Sequence, residues 1–176
     1  MTAHAAWELT STVFSLGAEF EKTAVSFEVM TGSADKGKQV LDDLRKVAIS
    51  SPYTFRQLSS PTQMLLGMGV ATDDVIATVS RLGDVAAGSS ERMNRLALAY
   101  GQVMAAGRFM GTELRQFTEA GVGVNDFATT MGVTAAKFRQ MMTRGMIGPE
   151  VVTRTLERIT SEGGRFANMN QRINKT

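Results

Sequence analysis

The stretch from Ser89 to Gly121, SSERMNRLALAYGQVMAAGRFMGTELRQFTEAG, decides how the rest of the chain is read. Met93, Leu96, Ala97, Tyr100, Val103, Met104 and Gly107 recur at intervals of three and four, so they form one apolar stripe on a helix. Ser89 and Ser90 supply hydroxyls where a helix start leaves backbone N–H groups unpaired, and Glu91 puts negative charge in the first turn. A break from Ala105 to Gly111 leads into a second, shorter helix that Thr112 can cap. Leu114 and Phe117 face inward on it, and Gly121 is placed to stop it. Without histidine or cysteine, the pair reads as a core hairpin that packs and does no chemistry.

The chain's 176 residues, 43% of them apolar, suit one domain large enough to bury a core without covalent staples. Cysteine is absent, which excludes a disulfide framework and thiolate metal sites. Lys and Arg number 19 against 17 Asp and Glu, too even a balance to announce a nucleic-acid partner. The distribution is less even: from Lys137 onward there are eight basic residues against three acidic ones. No apolar run approaches the ~18 residues of a bilayer span, and no basic-then-apolar signal peptide opens the chain. The 12 Met and 17 Gly suggest adaptable helix packing and glycine-marked helix ends.

Residues 1–17 have no clear pattern. From Ala18, a helix carries Phe20, Ala24, Phe27 and Met30 inward and ends at Gly32. Ser33 caps a second helix with Val40, Leu41, Leu44 and Val47 inward, which stops before Pro52. Tyr53-Thr54-Phe55 reads as an extended turn. Ser60-Pro61 reads as an N-cap followed by proline at the first helical position, where its missing N–H costs nothing. Thr72 with Asp73 and Asp74 starts a helix bearing Val75, Ile76, Val79, Leu82 and Val85. Beyond the central pair, helices are expected over 125–131 and 134–143, with a last one from Gly148-Pro149. Gly69, Gly121, Gly132 and Gly145 share one grammar: a glycine ends a helix, an apolar residue folds back, and a new N-cap follows.

The fold class is therefore all-α, with seven to eight short helices joined by Gly-terminated tight turns. The helical domain spans 18–162, and the polar segment 163–176 leads out of it. Leu96, Tyr100, Met104, Leu114 and Phe117 are expected in the core with Val79 and Leu82.

Chemistry is sparse. The single histidine, His4, lies near a terminus. Asp42-Asp43 and Asp73-Asp74 are adjacent pairs, whose side chains diverge on a helix instead of converging on an ion. Gly121-Val122-Gly123 lacks the preceding strand and third glycine of a dinucleotide loop, and no Gly-Lys-Ser/Thr follows any glycine run. No catalytic residue, cofactor or metal is assigned. The segment 134–159, with Lys137, Arg139, Arg144, Arg154 and Arg158, resembles a helix-turn-helix outline and makes nucleic-acid binding the alternative function. Its competitor is an ordinary helical hairpin with solvated arginines.

Several phrases resemble the domain near the start of phage and prophage tail tape measure proteins. They are Phe20-Glu21-Lys22-Thr23, Phe27 to Ser33, Ser51 to Phe55, Leu82 to Ala86 and Gly101-Gln102-Val103. Gly111 to Gln116, Glu119 to Val122, Met142 to Gly145 and Thr160 to Phe166 continue the series in order, so the resemblance covers roughly 18 to 170. It implies a non-enzymatic structural module of the virion tail, assembled in the bacterial cytoplasm and contributing to tail assembly and length determination. The implied partners are other copies of the chain and tail tube, tail tip or assembly proteins. Such proteins are very long, so this short chain is expected to be a portion of one. A cell-wall hydrolase module, which such chains carry elsewhere, is disfavoured by the lack of a defined acid or nucleophile. Contact residues are expected near the chain ends, at Phe20, Phe27, Phe166 and Met169, as apolar groups left exposed.

Far-ultraviolet circular dichroism should accordingly be dominated by helix, with at most a short extended pair around Met146-Ile147. A spectrum dominated by β signal would contradict this reading.

Overall fold

The computed structural model describes residues 20–175, so His4 and the unreadable 1–17 segment lie outside the described residues. Ten helices and no strand are present among the described residues. They are α1 (20–31), α2 (Ala34–Ser50), α3 (Phe55–Gly67), α4 (Thr72–Ala86), α5 (Ser90–Ala106), α6 (Gly111–Glu119), α7 (Val124–Met131), α8 (Ala135–Thr143), α9 (Pro149–Thr160) and α10 (Met169–Asn174). The all-helical class holds, with more helices than the seven to eight expected.

The central stripe forms α5. Ser89 accepts a hydrogen bond from the Arg92 N–H at 3.2 Å, and Met93, Leu96, Ala97, Tyr100 and Val103 are buried. Gly107 is not part of the stripe: it is the exposed left-handed cap at φ 66. Thr112 does not cap α6, whose N-cap is Met110 with no side-chain bond. Met104 and Leu114 pack against the core half-buried, while Val79, Leu82 and Phe117 are fully inside it.

Packing builds outward from α4 and α5. α4 touches α2, α3, α5, α9 and α10, and α5 touches α3, α4, α6 and α9. α9 also packs on α7, and α7 on α8, so the C-terminal half closes around a second centre. That centre is aromatic. Phe109, Phe117, Phe127 and Phe138 are each 0% exposed. Phe127 lies 4.8 Å from Phe109, 5.7 Å from Phe117 and 6.0 Å from Phe138, centroid to centroid. Such offset and edge contacts add ~0.5–1.5 kcal/mol per pair beyond area burial. The Phe109 N–H donates to the Ile147 carbonyl at 2.8 Å, one backbone bond in place of the extended pair expected near Met146-Ile147.

Helix ends repeat one device. In α3, α6 and α8 the N–H two residues beyond the cap, and in α7 the N–H one residue beyond it, donates back to a carbonyl five residues earlier, as Val122 does to Phe117 at 2.9 Å. Gly121, at φ 93, supplies the left-handed residue that lets this bond form and folds Val122 into the core at 0% exposure. α4 departs from the glycine pattern, since its left-handed cap is Ala87 at φ 49.

The expected start at Ser60-Pro61 is incorrect. α3 begins earlier, at a capping box in which Thr54 accepts from the Gln57 N–H and the Gln57 side chain accepts from the Thr54 N–H. Pro61 stands inside the helix and is buried. The reciprocal cap and the burial of Leu58 and Leu65 outweigh the one N–H that proline removes.

The exit expected of the polar tail is also not observed. Residues 163–175 turn back, and α10 packs on α4 and α2. The Phe166 N–H donates to the Ile159 carbonyl at 2.9 Å, the Asn170 N–H to the Asp84 carboxylate at 2.7 Å, and the Asn174 amide to the Ile49 carbonyl at 3.2 Å. Arg165 donates to the Gly121 carbonyl and, at 2.7 Å, to Asp126.

Removing the hub of the aromatic centre, Phe127→Ala, should cost ~3–5 kcal/mol in urea unfolding, and Leu96→Ala ~2–5 kcal/mol. A loss under ~0.5 kcal/mol for either would place it outside the cooperative core. Two helical glycines should respond differently to alanine. A Cβ on Gly37 would lie 2.6 Å from the Glu28 backbone nitrogen, so α1 and α2 must separate; the loss should reach ~1–3 kcal/mol. A Cβ on Gly101 would meet only the flexible Met68 side chain, which can swing away, so Gly101→Ala should cost less. Equal losses would contradict the backbone contact at Gly37.

Candidate protein-contact surface

Among the described residues, no three His, Cys, Asp or Glu side chains are grouped to hold a metal. No described helix is long and apolar enough to cross a membrane. The acidic pairs serve helices: Asp42 and Asp43 bond Arg45 at 3.1 Å and Lys46 at 2.7 Å, one turn on, and Asp73 and Asp74 occupy the first turn of α4. The bond to Asp43 raises the Lys46 pKa above its ordinary value.

The basic segment does not fold as an isolated helix-turn-helix. α8 and α9 each pack principally on α7. Lys137, Arg139, Arg144, Arg154 and Arg158 are all exposed. Arg158 is engaged within the fold: its Nε donates to Thr130 at 3.1 Å and its Nη2 to the Asp126 carbonyl at 3.0 Å. Lys137 reaches Gln140 at 3.4 Å. Asp126 joins Arg158 and Arg165 on one carboxylate, so part of the basic charge is spent on internal bracing.

The four apolar contact candidates divide. Phe27 is 0% exposed and belongs to the core, so it offers nothing to a partner. Phe20 is half-buried, 4.6 Å from the Phe55 ring and beneath the Arg45 guanidinium at 4.8 Å. Phe166 is half-buried against the core, with Arg165 over its ring at 4.9 Å, and Met169 is half-buried beside it in sequence. None of the four is fully exposed.

The exposed apolar groups are others. Val25 is 58% exposed, Val29 75% and Met30 42%, all on α1; Ile49 at the end of α2 is 81% exposed, and Met146 60%. Met30 was expected to face inward, but the inward face is Phe20, Thr23, Ala24 and Phe27, with Thr31 folding its hydroxyl onto the Phe27 carbonyl at 2.8 Å. Helical geometry carries the signal for the outer face. At about 100° per residue, Val25 and Val29 both fall nearly opposite Phe27. Two valines one turn apart on the solvent side of an otherwise charged helix are legible in sequence once Phe27 is fixed as the inner residue.

The arrangement brings together a helical hairpin, a tight α1–α2 backbone contact at Gly37, and an apolar strip facing outward from it. Comparison with curated proteins and with solved structures returns no match. A family model described as tape measure protein matches residues 11–176, nearly the whole chain and more than the 18–170 over which the motifs were recognised. With that match, and with the recognised phrases distributed along an all-helical fold, the chain belongs to the phage tail tape measure protein family.

Proposed function

We propose that this chain is a non-enzymatic structural module of a tape measure protein, contributing to tail assembly and length determination through protein–protein contacts. The observation that carries this reading is the outward apolar strip of α1, Val25 and Val29 with Met30 at its border. Apolar surface concentrated on one helix of a domain whose core is otherwise closed marks an interaction face. Its occupants on this reading are other copies of the chain, or tail tube, tail tip and assembly proteins met in the bacterial cytoplasm before incorporation into the virion tail. Phe20, Phe166 and Met169 then act at most as the half-buried margins of contact surfaces, and Phe27 only from within, by fixing how α1 presents its outer face.

Sedimentation over a concentration series checks this. The chain should self-associate, and Val29→Asp should weaken association at least tenfold with helicity unchanged. Phe27→Asp, which buries a charge, should instead lose helicity and stability. A concentration-independent monomer, unaffected by Val29→Asp, would rule out self-association through α1.

A further inference from the structure

On α1 a base and an acid stand at equal distances on either side of the exposed Val25. Lys22, Val25 and Glu28 follow one another at intervals of three, and all three are exposed. At about 100° and 1.5 Å per residue, Lys22 and Glu28 flank Val25 at about 60° on opposite sides, each about 4.5 Å away along the axis. Six positions apart, they are out of each other's reach on their own helix. Neither makes an ion pair among the described residues. Glu21 and Val29 complete the outward sector, also at equal distances from Val25.

This placement is self-complementary under one symmetry. A two-fold axis through Val25, perpendicular to α1, reverses both the direction along the helix and the side of the helix. It therefore brings Lys22 of one copy to Glu28 of the other, and Glu28 to Lys22, around a central contact of Val25 with Val25. Each Val29 lies along the aliphatic stem of the other copy's Glu21, whose carboxylate stays in water. A parallel pair would put both Lys22 at one level and both Glu28 at another, so no opposite charges would meet. Any other partner has to supply an acid and a base at this spacing around an apolar centre, and a second copy supplies them by symmetry alone.

We propose, on the reading of α1 as a contact face, that two copies of the chain associate antiparallel through α1 about a two-fold axis at Val25. Contact along one helix about 18 Å long falls below the roughly 1,200 Å² of stable complexes, so the association is weak.

Sedimentation over a micromolar-to-millimolar series reads the dimer. Lys22→Glu or Glu28→Lys alone should weaken it about tenfold, since each replaces two opposite-charge contacts by two like-charge ones. The double variant exchanges the two charges and should restore association to within about threefold of the unaltered chain. Cross-linking checks the axis itself, because the chain has no cysteine of its own. At about 10 Å between helix axes, two Cα atoms facing across the two-fold are about 5 Å apart, within disulfide reach. Val25→Cys should oxidise to a covalent dimer, whereas Met30→Cys, exposed but about 140° round the helix, should not. Association that lacks either the rescue or the cross-link overturns the two-fold arrangement and leaves α1 as a contact face. A chain that stays monomeric throughout overturns self-association through α1 altogether.

Discussion

Dehydration of the broad apolar face of α4 is the constraint from which the rest of the fold follows. Thr72, Val75, Ile76, Thr78, Val79 and Val85 are β-branched, so the segment has little intrinsic preference for helix. It is helical because five other helices surround it and leave Val75, Val79, Leu82, Val85 and Ala86 at 0% exposure. Each fully buried Val or Leu side chain contributes roughly 1.5–3 kcal/mol, well above the ~0.5 kcal/mol that a β-branched residue loses in a helix. Packing decides the secondary structure here. It also explains why α2, α3, α5, α9 and α10 must converge: without α4 among them, each would expose the stripe that it turns inward.

Polar contacts then fix what apolar burial leaves free. The Tyr53 hydroxyl donates to the Gly83 carbonyl and accepts from the Gly88 N–H, both at 2.9 Å, and so braces the non-glycine cap at Ala87. Burial of that phenol pushes its pKa up to about 12, so it remains a donor across the physiological range. Asp126 does comparable work on the other half. It caps the Gly123 N–H at 2.8 Å while binding Arg165 from the tail and lying 3.8 Å from Arg158 of α9. Exposed ion pairs contribute little singly, ~0–1 kcal/mol. Asp126 is 16% exposed and has several partners, which places it above that level as an orienting contact.

The legible part of the fold was the part with period. The stripes on α4 and α5, the serine cap of α5, the threonine cap of α8 and the proline start of α9 all follow local rules that tertiary packing did not overturn. The aromatic centre had no such signal. Phe109, Phe117, Phe127 and Phe138 come from a loop and three helices, and no spacing along the chain pairs them. Pro61 misled because a favourable position for proline was treated as its required one. Asn168 and Asn170 looked like solvated tail, yet Asn170 is buried through partners 86 and 90 residues upstream. The contact surface was half legible: Phe27 belongs on the inner face of α1, as its spacing indicates, but it is also expected as a contact residue, and the exposed apolar groups are the valines opposite it. In a short amphipathic helix with apolar groups on two faces, the size of phenylalanine favours the interior over valine, and only packing settles the assignment.

The return of the tail sets how the domain bears load. Phe20 sits under Arg45, and Asn174 bonds the carbonyl of Ile49 one helical turn farther along α2, a spacing of about 6 Å along the axis. Residues 20 and 174 thus both lie against the C-terminal part of α2. Tension applied through them does not stretch the fold along its length. It acts first on the α1 packing and on the tail's hydrogen bonds, opening them one after another like a zip, while the closed centre around α4 is loaded last. A chain pulled at these points would lengthen by peeling, at forces far below those needed to shear its helices past one another.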